Sequence, residues 1–122
     1  MNNSATTKKS GLQRLLSACG YSLAGLSEAC RHETAFRQEL LLAAVLIPIA
    51  LVYGRSGTDK ALLIGSVMLV LIVELLNSAV ESLTDRVSLE RHPLAKKAKD
   101  LGSAAVLLAL VTTALVWGVV FW

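Results

Sequence analysis

Aromatic side chains make up only 5% of this 122-residue sequence, too few for the stacking platforms that single-stranded nucleic acids need. The net charge of +3 comes without a basic recognition helix, so nucleic acid is not an expected partner, and anionic lipid headgroups suit the positive balance better. Cysteine is as sparse. Cys19 and Cys30 stand apart with no CxxC pair, which argues against a disulfide framework or zinc site and for two small packing residues. No GxxxxGK[ST] loop, GxGxxG turn, HRD or DFG triplet, or GxSxG elbow occurs. Soluble kinase and serine-hydrolase machinery built on those loops is thereby excluded. His32 and His92 lie far apart, with no serine triad pattern to recruit them, and are expected at the surface. The polar opening residues, Met1 to Ser10, lack the apolar core of a cleaved signal peptide.

Apolar length is what the sequence has in excess. Hydrophobic residues reach 54% while charged ones fall to 17%, against roughly a quarter in soluble domains. A single small core could not hide so much apolar sequence. The expected fold is an all-α integral membrane protein forming one membrane-embedded domain over residues 1–122.

Leu12, Leu15, Leu16, Cys19, Leu23 and Leu26 recur at helical spacing with Gln13, Arg14, Ser17 and Ser22 between them. This pattern predicts an amphipathic surface helix over about 11–30, or two shorter helices joined near Gly20. Leu40 to Val52 is too short alone to cross about 30 Å of hydrocarbon, but extension back through Thr34, Ala35 and Phe36 gives a first span over 34–54. Pro48 is tolerable there if neighbours satisfy the freed carbonyl. A turn at Gly54–Asp59 leads to a second span over 61–84, and a charged connector, Asp85–Asp100, leads to a third over 101–122 that ends in aromatics. Lys8, Lys9, Arg14, Arg31 and Arg37 flank the first span, and Arg86, Arg91, Lys96, Lys97 and Lys99 fill the second connector. The first turn holds only Arg55 and Lys60. By the positive-inside rule the N-terminus and the second connector face the cytoplasm, and the C-terminus faces outward.

The second span is the unusual one. Glu74, Asn77 and Glu81 lie at i, i+3 and i+7 and share one helical face, which Ser78 and Asp85 extend. An acidic side chain at mid-span costs about 2.5–3.5 kcal/mol on insertion scales. Such a stripe therefore requires a partner helix, a wet cleft or a bound cation. Two glutamates and an aspartate repel one another unless protons or a metal intervene, and carboxylates open to the cytoplasm suit Mg²⁺. Glu33 and Glu39 form a second acidic cluster at the mouth of the first span. A metal between Glu33 and Glu81 is geometrically reasonable; two solvated interfacial carboxylates are the plainer alternative. Lys96, Lys97 and Lys99 beside Asp100 are either topogenic or a clasp for polyphosphate.

The run Glu74-Leu-Leu-Asn77-Ser78-Ala-Val-Glu81, then Asp85-Arg86 and Lys99-Asp100-Leu-Gly102-Ser103-Ala-Ala, resembles bacterial diacylglycerol kinase. Ala18-Cys-Gly20-Tyr21-Ser22, Glu33 with Ala35-Phe36-Arg37-Gln38-Glu39, and Ser66-Val67-Met68-Leu69-Val70 carry the same resemblance, which covers nearly the whole chain. It implies a homotrimer of three-span subunits in the bacterial inner membrane, with composite sites between subunits. Mg-ATP would be the phosphoryl donor and diacylglycerol the acceptor. By the resemblance, Glu74 is the base, and Glu33 and Glu81 hold the metal. Arg14, Tyr21, Asn77, Lys99 and Asp100 bind nucleotide, with Glu90, Arg91 and His92 near it. The lipid meets Ala18, Cys19, Gly20, Tyr21, Ser22, Leu23, Ser27, Glu28, Ala29, Cys30, Ala35, Phe36, Arg37, Gln38, Glu39, Glu74, Ser103 and the third span around Trp117. The Ser88–Pro93 connector is less typical of that family. An undecaprenol kinase of the same family, or a cation- or proton-conducting oligomer with an acid-lined pore, is the alternative.

Overall fold

A computed structural model describes residues 10–87 and 93–122. Among these residues there are four helices: α1 (Gly11–His32), α2 (Thr34–Tyr53), α3 (Gly57–Val87) and α4 (Pro93–Val120). The chain divides into two compact units, Met1–His32 and Glu33–Trp122.

In the first unit, α1 starts on a reciprocal cap. Ser10 Oγ accepts the Gln13 backbone N–H at 3.1 Å, and Gln13 Oε1 accepts the Ser10 N–H at 3.0 Å, satisfying two donors that a helix start otherwise leaves bare. The helix then runs unbroken for 22 residues, so the break considered at Gly20 does not form. A glycine inside a helix costs about 1 kcal/mol relative to alanine, which the surrounding helix formers absorb. Leu12, Leu15, Leu16 and Leu23 are all exposed.

In the second unit, α2, α3 and α4 are each long and apolar enough to cross a membrane. α3 packs against both neighbours and supplies most of the interior: Leu63, Ser66, Val67, Val70, Leu71 and Glu74. α4 buries little beyond Ala109. Apolar side chains such as Leu41, Val52, Leu76, Leu107, Leu108, Leu115 and Val119 remain exposed, an arrangement suited to hydrocarbon but not to water.

The helices outrun the expected spans at the polar ends. α3 begins at Gly57 because Ser56 Oγ accepts the Asp59 N–H at 3.1 Å, so Gly57–Asp59 is the first helical turn and the interhelical turn shrinks to Gly54–Ser56. No Gly or Pro falls between Thr84, the expected end of the span, and Val87, and α3 continues there. Pro93 opens α4, a position where its missing N–H costs nothing. Much of the expected connector is therefore helix. Pro48 lies within α2 without ending it.

Three side-chain hydrogen bonds clasp α3 to α4 or tighten α3 far from the charged end. Trp117 Nε1 donates to the Leu63 carbonyl at 3.3 Å, and Thr113 Oγ1 donates to the Ser66 carbonyl at 3.0 Å. Ser66 Oγ itself donates to Leu63 O at 2.8 Å.

Gly54 closes the turn after α2, where its N–H donates to Ala50 O at 2.9 Å. A Cβ there would stand 2.6 Å from that carbonyl and 2.5 Å from Lys60 Cγ. Gly54→Ala is expected to lower stability by about 1–3 kcal/mol through overpacking, read as a lower thermal unfolding midpoint in detergent micelles. An unchanged midpoint would show that the turn opens freely.

Candidate functional site

The acidic face predicted for the second span is a face of α3 turned toward α2 and α4. Glu74 is 6% exposed, the one buried ionisable group among the described residues. Across the α2–α3 seam its carboxyl group lies within hydrogen-bond reach of Glu39. Two ionised carboxylates offer each other no donor, so a proton or a cation has to sit between them. The second oxygen of Glu39, Oε2, is buried without a partner. Below it a cavity of about 30 Å³ is walled by Leu42, Leu46, Val67, Val70, Leu110 and Thr113, space for roughly one water.

One turn toward the charged end, Glu33 joins the same face. It is the N-cap residue of α2 (φ −108°, ψ 104°), yet its side chain makes no capping bond. Its Oε1 instead accepts the Ser78 hydroxyl at 2.9 Å. Ser78 precedes Glu81 by three residues, so Glu33 is held within about one helical turn of Glu81 along α3. The carboxylate is thus withdrawn from its local helix and committed to α3.

α4 brings the cations. Lys99 Nζ lies 2.5 Å from Asp85 Oδ1 of α3, and Lys96 Nζ lies 2.7 Å from Asp100 Oδ2 within α4. Both pairs are solvent-exposed, and such pairs contribute about 0–1 kcal/mol. Asn77 sits between the acidic and cationic groups and rests against Gly102 of α4.

The second unit therefore brings together Glu33, Glu39, Glu74, Asn77, Ser78 and Glu81, with Lys99 and Asp100 on the adjoining turns of α4. Ser103 is exposed on α4, and Ala35, Arg37 and Gln38 are exposed on the opening turns of α2, whereas Phe36 is buried. Trp117 is remote: its partner Leu63 precedes Glu74 by eleven residues, about 16 Å along the helix. Arg14, Tyr21 and the lipid set from Ala18 to Cys30 belong to α1 in the first unit, where Glu28 Oε2 pairs with His32 Nδ1 at 2.6 Å and Ala29 is buried. Glu90, Arg91 and His92 lie outside the described residues. Among the described residues no three His, Cys, Asp or Glu side chains gather into a ready-made metal cluster.

A sequence model of the prokaryotic diacylglycerol kinases matches residues 20–121. The chain belongs to that family. It is 52% identical to a diacylglycerol kinase of Pseudomonas aeruginosa over 98% of each chain. It is 49% identical to one of Haemophilus influenzae over 91% of this chain and 94% of the other. The diacylglycerol kinase of Escherichia coli K12 is 45% identical over 92% of each. Within this family member, sequence reasoning passed over two contributors to the site. Ser78 was noted only as part of the polar stripe, although its hydroxyl holds Glu33. Gly102 appeared only as a letter of a motif. Its spacing of one residue from Ser103 carried no signal; only the approach of Asn77 reveals it.

Proposed function

We propose that the chain transfers the γ-phosphate of ATP to the hydroxyl of diacylglycerol, giving phosphatidic acid, with Glu74 as the base. The observation that carries this reading is a buried Glu74 flanked on one side by an apolar seam and on the other by Glu33, Glu81 and two solvent-exposed ion pairs. A lipid hydroxyl can approach from the hydrocarbon side while a nucleotide approaches from water. Names of the relatives, all diacylglycerol kinases, support the same acceptor.

In the reaction the lipid oxygen bonds to the γ-phosphorus as the bond to the β,γ-bridging oxygen breaks, and ADP leaves. The hydroxyl proton passes to the Glu74 carboxylate. Glu39, in contact with Glu74, lies where it can share that proton. Lys99 exchanges Asp85 for phosphate oxygens, and Asn77 and Asp100 add nucleotide contacts; the family resemblance adds Arg14, Tyr21, Glu90, Arg91 and His92 to the proposed nucleotide set.

Glu33 and Glu81 fit a hard divalent cation such as Mg²⁺: both are oxygen donors, and Glu33 is freed from capping and fixed by Ser78. Two carboxylates leave room for water and phosphate oxygens, as Mg²⁺ prefers. When bound, the ion neutralises charge on the phosphates.

The proposed setting is the bacterial inner membrane, with the N-terminus cytoplasmic and the C-terminus periplasmic, the α1 leucines on the membrane surface, and three copies forming one bundle. The thinly covered α4 supports a partner copy or lipid on that side. The whole chain acts as one membrane-embedded kinase domain.

The test is purified protein in detergent with γ-labelled ATP and Mg²⁺, offered diacylglycerol and undecaprenol in parallel. Label is expected on diacylglycerol. Label on undecaprenol alone would reassign the acceptor, and label on neither would overturn the kinase reading.

A further inference from the structure

In the seam between α3 and α4 the Asn77 side chain fills the space over Gly102. A Cβ built on Gly102 would fall onto Asn77 Oδ1, with Asn77 Cγ only 3.2 Å away. By contrast, a Cβ on Gly65 or Gly118 of the same two helices would meet nothing within 4 Å. Among the glycines of α3 and α4, Gly102 alone is crowded in this way.

Asn77 Oδ1 is also buried and has no hydrogen-bond donor opposite it. Its neighbour is the Gly102 methylene, at best a weak C–H donor. The carboxamide is thus turned with its acceptor into the seam. Its two N–H donors are the half left to a ligand. Asn77 lies three residues from Glu74 and four from Glu81, on the face both share.

We infer that Gly102 is a positioning residue: lacking a side chain, it lets Asn77 turn its carboxamide so that N–H donors, not the oxygen, meet the nucleotide. Those donors match the anionic oxygens of a phosphate group, whereas a hard divalent cation takes oxygen ligands. Asn77 accordingly serves phosphate and leaves the metal to carboxylates. Any side chain at 102 would displace the amide from this setting. The inference rests on the nucleotide site proposed above.

Wild type, Gly102→Ala, Asn77→Ala and the double variant, each as the full chain in detergent, form the test. With diacylglycerol saturating, Gly102→Ala is expected to lose about tenfold or more in kcat/KM for Mg-ATP, while KM for diacylglycerol stays within about twofold. The double variant should be no worse than Asn77→Ala, because the added methyl then has no amide to displace. Thermal unfolding should follow the same pattern, with a lowered midpoint in Gly102→Ala and no further lowering in the double variant. A double variant that falls below Asn77→Ala by the full Gly102→Ala factor would overturn the inference, since Gly102 would then act through backbone packing alone. Should Gly102→Ala fail to assemble, recovery of assembly in the double variant supports the inference, and continued failure overturns it.

Asn77→Asp removes both donors at nearly constant shape. It is expected to raise KM for ATP by about 100-fold without moving the Mg²⁺ concentration for half-maximal rate at saturating ATP. A shifted Mg²⁺ dependence would overturn the donor assignment. The unfolding measurements need no turnover, so they stand or fall independently of whether the chain phosphorylates diacylglycerol.

Discussion

Glu74→Gln is expected to abolish phosphoryl transfer while leaving the helices assembled. Loss of a positioned general base lowers kcat by about 10²–10⁴, and a buried position leaves little chance that water substitutes for it. The same substitution is mild for the fold. Glutamine has nearly the same shape, and its NH₂ can donate to the Glu39 carboxylate where two carboxylates need a proton or cation between them. The Glu39–Glu74 contact across the α2–α3 seam therefore persists, and the unfolding midpoint should hold or rise. Initial rates with labelled ATP, set beside thermal unfolding in the same detergent, separate the two effects. Near-normal turnover would remove Glu74 from the role of base; loss of both activity and folding would make it a structural residue.

Glu81→Ala should be nearly as damaging, but in a different variable. If Glu81 and Glu33 hold the metal together, removal of one ligand raises the Mg²⁺ required for half-maximal rate by more than about 100-fold, since even outer partners of metal ligands cost about 10–100-fold. Ser82→Ala, one residue along and exposed, should change little. Ser78→Ala belongs between them, because its hydroxyl fixes Glu33 without reaching the ion itself. A Mg²⁺ titration across the three variants reads this order directly. Equal effects of Glu81→Ala and Ser82→Ala would exclude Glu81 from the metal site.

The number and kind of long helices were legible because hydrocarbon imposes a length and a composition that run through the sequence itself. Their ends were less so. The start of α3 at Gly57 depends on Ser56 serving as a cap, and charge marks the Asp85–Asp100 connector without showing that Asp85–Val87 and Pro93–Asp100 are helical. The acidic stripe from Glu74 to Glu81 followed from spacing alone. Its partners did not. That Glu39 faces Glu74, that Glu33 forgoes its cap for Ser78, and that Asn77 lies on Gly102 all depend on how α2, α3 and α4 are rotated about their own axes. Periodicity gives the face of one helix, but not which residue of a neighbour meets it. Trp117 illustrates the same limit from the other side: an aromatic near the end of a span suggests an interfacial anchor, whereas its indole N–H is spent on the Leu63 carbonyl.

That last clasp has a consequence for which substitutions the pair of helices will accept. Trp117 and Thr113 donate from side chains, but what they bind on α3 is main chain, the carbonyls of Leu63 and Ser66. A main-chain acceptor survives almost any replacement of the residue that carries it. The two hydrogen bonds therefore restrict the chemistry of Trp117 and Thr113 but not that of Leu63 and Ser66, which burial restricts only in size, and a variant library scored for assembly should record that asymmetry in its surviving sequences.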